Sequence, residues 1–390
     1  MPNHPAQLEP YVLDDVASLR PHVIELIESD AALAALVHPI TQKSIAALVQ
    51  GMNCYYSNLI EGHRTLPIDI EKAMRHDFST DKSNRDRQLL AAAHMETEQQ
   101  VLSWLAAGVD PWSAQFVLQV HERFCAALPP EMLELEDGSQ MIPGQWRTQQ
   151  VSVGNHLPPS PQSLPRFIER YSETQHALRE RDVRIANAIA GHHRLAWIHP
   201  FADGNGRVGR IVTDAQLKRL DINIGSLWSW SRGLAKSEQR YKGALADADQ
   251  PRQGDLDGRG NLSTKALVEF TRFGLEVAVD QAKFMASMLR FDELKRRVET
   301  HFLRERADLK LESSHIVIAA IAHGEISRGD AQRVSGLKER SARDALGKLL
   351  KHGYLRTESP KGALRAAFPT HALGSFFPNL YPAGSLDLER

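Results

Sequence analysis

The sequence predicts an all-α protein interrupted by one small β-hairpin, and three observations carry that expectation. Apolar residues recur at three- and four-residue intervals through most of the chain, the period of a helix with one buried face. Two-residue alternation is confined to the short run Val151-Ser152-Val153. Around that run, residues 129–161 are rich in proline and glycine, which punctuate turns rather than continue helices.

From Ser44 onward, Ile45, Leu48, Val49, Met52, Tyr56 and Leu59 form one helical stripe, and Gly62 follows as a favoured C-terminal cap. Ser57 and Glu61, four apart, share a face of its last turn. Helical patterns continue from Leu89 to Leu105, stopped by Gly108, and from Asp110-Pro111, read as cap and first position, to about Leu128. Ser163 is placed to cap a helix through Leu178. Ile185, Ile189 and Ala196 mark the helix after that, and Val208, Ile211, Val212 and Ala215 mark another. Trp228 and Trp230 read as core or groove aromatics, and Arg240-Tyr241 as the start of a further helix. The glycine-rich run Gly254–Asn261 lacks the closing Glu of a calcium loop. Residues 263–307 read as one or two long helices, with Leu294–Arg306 as a solvated connector. Residues 1–30 give no firm pattern, and the tail after Phe368 is expected to be irregular.

Composition narrows the function classes. The chain has 390 residues, with 47 Lys and Arg against 48 Asp and Glu. A net charge of −1 gives no global field to recruit nucleic acid or an anionic membrane. Cys54 and Cys125 are its only cysteines and lack metal-ligand spacing, which predicts a reducing, cytoplasmic setting. Met1–Pro10 shows no signal-peptide pattern, and no apolar run approaches a membrane span.

The chemistry concentrates between two helical patterns, in His199-Pro200-Phe201-Ala202-Asp203-Gly204-Asn205-Gly206-Arg207-Val208-Gly209-Arg210. Gly204 and Gly206 let the backbone approach a ligand closely. The first turn of the following helix offers unpaired N–H groups and a positive dipole end, an anion seat. Arg207 and Arg210, three apart, add guanidinium forks suited to phosphate oxygens. Asp203 is a hard oxygen ligand suited to a magnesium ion held mostly by phosphates. His199, at the loop entrance, is suited to take a proton from a hydroxyl.

This string resembles the signature of the Fic family, His-Pro-Phe-x-Asp/Glu-Gly-Asn-Gly-Arg-x-x-Arg, at every defined position. The resemblance implies the Fic helical fold and transfer of AMP from ATP to a protein Ser, Thr or Tyr hydroxyl. It assigns His199 as general base, Asp203 as Mg2+ ligand and Gly204, Asn205 and Gly206 as the anion hole. Arg207 and Arg210 would hold the distal phosphates, with Val208 and Gly209 in the same ATP-binding run. Tyr241 would line the adenine pocket. Pro143-Gly144-Gln145-Trp146-Arg147, with Val151-Ser152-Val153-Gly154 and Pro158-Pro159, resembles the family's flap. By that likeness Val153 contacts ATP and the segment 143–161 docks the target protein. Ser57-Asn58-Leu59-Ile60-Glu61-Gly62 is similar to the family's inhibitory motif, Ser/Thr-x-x-x-Glu-Gly/Asn. Ser57, Glu61 and Gly62 then form an inhibitory element, with Glu61 pairing to Arg210 and reaching the ATP site. Self-modification and a homodimer are compatible with this reading. Two alternatives stay open: Glu61-dependent removal of AMP from a modified protein, and an ATP-sensing DNA-binding regulator.

The second alternative rests on the C-terminal part. Three short helical patterns, Ile316–Ala322, Gly329–Val334 and Lys338–Leu350, precede a Tyr354–Phe368 segment, an order that resembles a winged helix-turn-helix. Residues 325–365 carry ten Lys and Arg against five Asp and Glu, a bias compatible with DNA but not demanding it. The expected organisation is therefore 1–110, an N-terminal helical region with the inhibitory helix; 111–307, the catalytic domain and following helices; and 308–390, a winged helix and tail. A chain cut after Ala307 is expected to keep its catalysis, since every candidate site residue lies upstream.

Overall fold

Helices carry the architecture, and strand is confined to three short C-terminal segments, in a computed structural model that describes residues 2–135 and 137–386. The N-terminal helices are α1 (Arg20–Ala35), α2 (Pro39–Ile60), α3 (Pro67–Met74), α4 (Lys82–Ala106) and α5 (Ala114–Cys125). Pro39 opens α2, where its missing N–H costs nothing, and the His38 ring accepts from Ile40 N–H. Gly108, at φ +84°, ends the α4 segment as expected. The pattern beginning at Asp110-Pro111 becomes helical only at Ala114. Ser113 Oγ accepts from Phe116 N–H at 3.1 Å, while Asp110 holds Trp112 N–H in a preceding turn. Of the two capping residues, the one adjoining the apolar run starts the helix.

Among the described residues, 129–161 form no paired strands. Their only pairing among the described residues is two isolated bridges, Glu134 with Gln140 and Val153 with His156. Pro158 and Pro159 follow at once, and residues without N–H groups cannot extend a ladder. The expected hairpin is thus a loop with one bridge at its tip.

The centre of the molecule is built by α6 (Leu164–Ala177), α7 (Arg181–Ile198), α8 (Asn205–Arg219), α9 (Trp230–Lys236), α10 (Glu238–Ala248) and α11 (Thr264–Leu289). Ile185, Ala186, Ala188, Ile189 and Ala190 are fully buried, so α7 is covered on nearly every side. Gly274 of α11 lets that helix press on Ile189, where any side chain would collide. Its carbonyl accepts from Trp230 Nε1 at 3.0 Å. A second apolar cluster, with Phe116, Val120, Phe167, Phe201, Val208 and Ile211, lies beneath the loop between α7 and α8.

Helix α12 (Phe291–Glu305) corrects the connector expectation: Leu294, Val298, His301 and Phe302 are buried. Its charged residues occupy only the outer face, and the sequence alone gave the inner stripe too little weight. The chain continues through α13 (Ser313–His323), β1 (Glu325–Ile326), α14 (Arg328–Ser335), α15 (Glu339–Lys351), β2 (Leu355–Arg356), β3 (Leu364–Ala366) and α16 (Thr370–Phe376). The sheet is antiparallel, ordered β1-β3-β2, with Ile326 opposite Leu364 and Leu355 opposite Ala366. The tail is not irregular throughout: α16 forms, and Phe376, Phe377, Leu380 and Tyr381 are buried.

That C-terminal part closes over α2. Thr41 Oγ1 donates to the Ile321 carbonyl at 2.8 Å, and Ser44 Oγ donates to the Ala366 carbonyl at 2.7 Å. Tyr56 donates to the Leu380 carbonyl at 3.0 Å. Tyr381 sits edge-on to Tyr55 with centroids 5.2 Å apart. One apolar core therefore runs from Leu13 to Tyr381. Among the described residues no helix is long and apolar enough to cross a membrane.

Candidate active site

The loop between α7 and α8 is held by its own backbone demands. His199 ends α7 in the left-handed region, at φ +50° and ψ 62°, rare for a residue with a side chain and common at functional sites. Gly204, at φ +81°, begins α8. Between them Asn205 ties the loop shut: its Oδ1 accepts from Phe201 N–H at 2.9 Å, and its Nδ2 donates to the Phe201 carbonyl at 2.8 Å. Phe201 is fully buried and stacks on His121, with centroids 3.8 Å apart and planes 3° from parallel. A rigid apolar floor thus presents the first turn of α8 outward.

His199 Nδ1–H donates to the Ala196 carbonyl at 3.3 Å, which leaves Nε2 as the unprotonated nitrogen. Burial lowers its pKa to about 4, so the ring is neutral at physiological pH. Arg147 fixes the loop from outside. Its Nε donates to the His199 carbonyl at 2.8 Å, its backbone N–H to the Pro200 carbonyl at 2.9 Å, and Nη2 to the Pro159 carbonyl. One guanidinium therefore ties the 143–161 segment to the His199 turn.

Asp203 is exposed and pairs with Arg207 at 3.2 Å. The Arg207 side chain is only 5% exposed, its guanidinium 5.0 Å from the centre of the Phe124 ring. Its Nε and Nη1 have no partner among the described residues. A buried cation with two unpaired donors beside a helix N-terminus suits an anion.

Arg210 is committed. Nε donates to Ser57 Oγ at 3.0 Å, and Nη2 to the Ser57 carbonyl at 2.9 Å and Glu61 Oε1 at 2.7 Å. Burial pushes the Glu61 carboxyl up, but the charge and hydrogen bond of Arg210, with Arg207 behind it, outweigh that and hold it below the usual range. Gly206 makes the approach possible, because a Cβ there would run into the Glu61 carboxylate. The carboxylate thus lies directly over the first turn of α8.

Ser57, Glu61, Asp203, Gly204, Asn205, Gly206, Arg207 and Arg210 therefore gather around one helix end, with His199 at the loop's entrance. Gly62, at φ +82°, completes the last turn of α2. Val208 packs into the apolar cluster under the loop, and Gly209 faces the His192 ring of α7. Tyr241 is buried with its hydroxyl 2.7 Å from His192 Nε2. Val153 is 42% exposed at the loop tip. Among the described residues no group of three or more His, Cys, Asp or Glu is placed to hold a metal. Sequence reasoning missed His121 and the bracket made by Arg147. Nothing local marks His121; it acts through tertiary stacking and by accepting from Gly144 N–H at 3.0 Å.

Residues 111–217, which include this loop, match the Fic/DOC family. Over that stretch the chain is similar to a Fic domain. The Protein adenylyltransferase Fic of Nematostella vectensis is 27% identical over 173 residues, covering 42% of this chain and 36% of that protein. Its namesake in Drosophila mojavensis is 31% identical over 104 residues, covering 26% of this chain and 19% of that protein. The chain thus spans about a third or less of the length of these curated relatives. Two solved structures share the fold. One is a Fic family protein from Desulfovibrio desulfuricans G20, with TM-score 0.51 and 15% identity, covering 89% of this chain and 96% of that one. The other is Fic-1 of C. elegans, residues 134–508, with TM-score 0.53 and 16% identity, covering 71% and 74%. The Fic match begins at Pro111, so the helix bearing Glu61 lies outside it.

Proposed function

We propose that this chain is a nucleotidyltransferase that moves AMP from ATP to a hydroxyl of a target protein, and that Glu61 holds it in a restrained state. The observation that carries both statements is the occupation of the α8 N-terminus by the Glu61 carboxylate, bound to Arg210 at 2.7 Å. A helix end built for anions is filled by the protein's own anion, while the neighbouring donors of Arg207 stay unused. Phosphates suit that seat, and the names of the similar proteins from Nematostella vectensis and Drosophila mojavensis favour ATP as their source.

In the proposed reaction His199 Nε2 takes the proton of the target hydroxyl as its oxygen attacks the α-phosphorus. The bond from that phosphorus to the bridging oxygen breaks, and pyrophosphate leaves toward Arg207 and Arg210. An exposed carboxylate at a phosphate seat fits Mg2+ held mainly by phosphate oxygens. Asp203 would hold that ion, whose charge would offset the charge on the leaving group. The 143–161 segment, bracketed by Arg147, would present the target hydroxyl, and the protein's own hydroxyls are further candidates for modification. While Arg210 is held by Glu61 it is withheld from the distal phosphates, so bound ATP would lack its in-line alignment.

We read the division as 1–110, 111–307 and 308–390, the last a winged helix with its sheet packed on α13. Part of its basic bias is neutralised internally. Arg333, Arg343, Lys348 and Arg365 are each paired within the unit, to Asp330, Glu339, Asp344 and Glu325 respectively. The decisive experiment is incorporation of labelled AMP, from labelled ATP, by wild type and Glu61→Gly in the presence of a cell lysate. Labelled protein bands from Glu61→Gly, absent with His199→Ala, are the expected result. No incorporation by either enzyme overturns the transferase reading.

A further inference from the structure

One turn behind the Glu61–Arg210 contact, α2 and α8 diverge around a cavity of about 280 Å3 that the chemistry above does not use. Asn53 lines it four residues before Ser57 on α2, and Asp214 lines it four residues after Arg210 on α8. The walls are mostly apolar: Val49 from α2, Val101 and Leu102 from α4, Ile211 from α8, and Trp228. The wall bearing Trp228 is pinned in place. Trp228 Nε1 donates to Asp30 at 2.7 Å, Asn223 Oδ1 accepts from Leu227 N–H at 2.8 Å, and Ser229 Oγ donates to Asn53 at 2.7 Å. The cavity is therefore preformed rather than a gap awaiting collapse.

Two carboxylates reach it, Glu98 from α4 and Asp214 from α8. Glu98 uses only Oε1, which accepts from Asn53 Nδ2 and stands 3.1 Å from His94 Nε2; Oε2 makes no hydrogen bond among the described residues. Asp214 has one cationic partner, Lys218, at 2.8 Å. Burial raises the Asp214 pKa; Lys218 opposes that, while the charge of Glu98 adds to it. The negative charge of Glu98 is thus felt at Asp214, and Lys218 is paired to Asp214 alone. Exposed Lys43 lies among the lining residues. An apolar chamber with surplus negative charge inside and a cation on exposed lining suits a small molecule of matching polarity.

We propose that this cavity binds a small primary amine with a branched aliphatic body, its ammonium between Glu98 and Asp214. An amino acid of that shape would add a carboxylate toward Lys43. The cavity is walled by α2 and α8, the two elements that the Glu61–Arg210 contact joins, so occupancy is expected to favour the conformation in which that contact is made. The amine is then a co-inhibitor. The coupling, though not the binding, rests on Glu61 being the restraint.

The test is calorimetric titration of the full chain with leucine, isopentylamine and 4-methylpentanoate as separate probes. Leucine and isopentylamine are expected to bind and the acid not to. Glu98→Gln is expected to weaken both amines about tenfold, as loss of one charge-assisted contact would. Lys43→Ala is expected to weaken leucine alone. An unchanged melting profile for each variant excludes misfolding as the cause. Binding of the acid as tightly as the amines, or no binding by any probe, overturns the assignment. By linkage, Glu61→Gly is expected to weaken isopentylamine. Equal affinity in wild type and Glu61→Gly overturns the coupling while leaving the binding result intact.

Discussion

Arg210 Nη2 stands 2.7 Å from Glu61 Oε1 and 2.9 Å from the Ser57 carbonyl, so one guanidinium holds the last turn of α2 at two points. The Arg210 side chain is 2% exposed and that of Glu61 31%, a pair intermediate between surface and core. Removing the carboxylate leaves Arg210 its two bonds to Ser57, so the buried cation is not abandoned. Glu61→Gly is therefore expected to raise AMP incorporation by about a hundredfold, the scale of an ångström-sized misplacement relieved. It is expected to move Tm by no more than about 4 °C. Glu61→Asp, whose shorter side chain reaches Arg210 poorly, is expected to fall between. Incorporation of labelled AMP and a thermal melt on the same three preparations check this; equal incorporation by all three would end the autoinhibition reading.

How much of this was readable beforehand depended on whether the signal was local. The Gly204-Asn205-Gly206 turn, the stripe from Ile45 to Leu59 and the stop at Gly108 rest on spacing and backbone freedom, which a sequence displays directly. In 129–161, Val151 and Val153 alternate as in a strand, while Pro158 and Pro159 deny the segment a ladder. The α12 stripe of Leu294, Val298 and Phe302 was hidden by the charges of its outer face. His121 and the Arg147 bracket could not be read at all, since each acts on partners far along the chain: Phe201, 80 residues on, and the His199 carbonyl, 52 on. The clasp of the C-terminal part on α2 was hidden for the same reason.

That clasp changes what removing the C-terminal part is expected to do. The sequence alone suggested that a cut after Ala307 spares catalysis. Tyr381, however, packs on Tyr55 and Tyr56 and reaches Gly51, all on α2. Tyr381→Ala is expected to cost about 3–5 kcal/mol, as for other large buried aromatics. Because the loss falls on the helix carrying Glu61, incorporation of AMP is expected to rise at temperatures where the protein stays folded. Unchanged incorporation, with a lowered Tm, would show that the seat of α2 does not depend on this packing.

Asp203 offers one exposed carboxylate beside the Arg207 donors. If it is the protein's share of a Mg2+ site, Asp203→Ala is expected to raise the Mg2+ needed for half-maximal transfer by about tenfold or more. Affinity for metal-free ATP is expected to hold or tighten, since Arg207 loses its internal partner. Both are measured in the Glu61→Gly background, where turnover is high enough to titrate. An unchanged Mg2+ midpoint removes Asp203 from that role.

The pH dependence isolates His199 from its neighbours. Burial lowers the pKa of His199 and His121 to about 4 and of His192 to about 3, from an ordinary 6.5. A histidine whose folded pKa lies below its unfolded one binds fewer protons when folded. Its contribution to stability is therefore complete above about 6.5 and is lost as pH falls toward 4. With three such rings the protein is expected to weaken steadily in acid and to show no gain from alkaline conditions at this site. Activity is expected to behave differently. If His199 Nε2 is the base, kcat/KM of Glu61→Gly reports the free enzyme and is expected to stay flat from pH 8 down to the onset of unfolding. The two are separated by following near-ultraviolet circular dichroism on the same samples. An acid limb centred near 6.5 in protein that is still folded would mean an exposed base performs the proton transfer, and His199→Ala would then retain activity. A flat profile, with His199→Ala inactive yet melting normally, is the outcome this geometry requires.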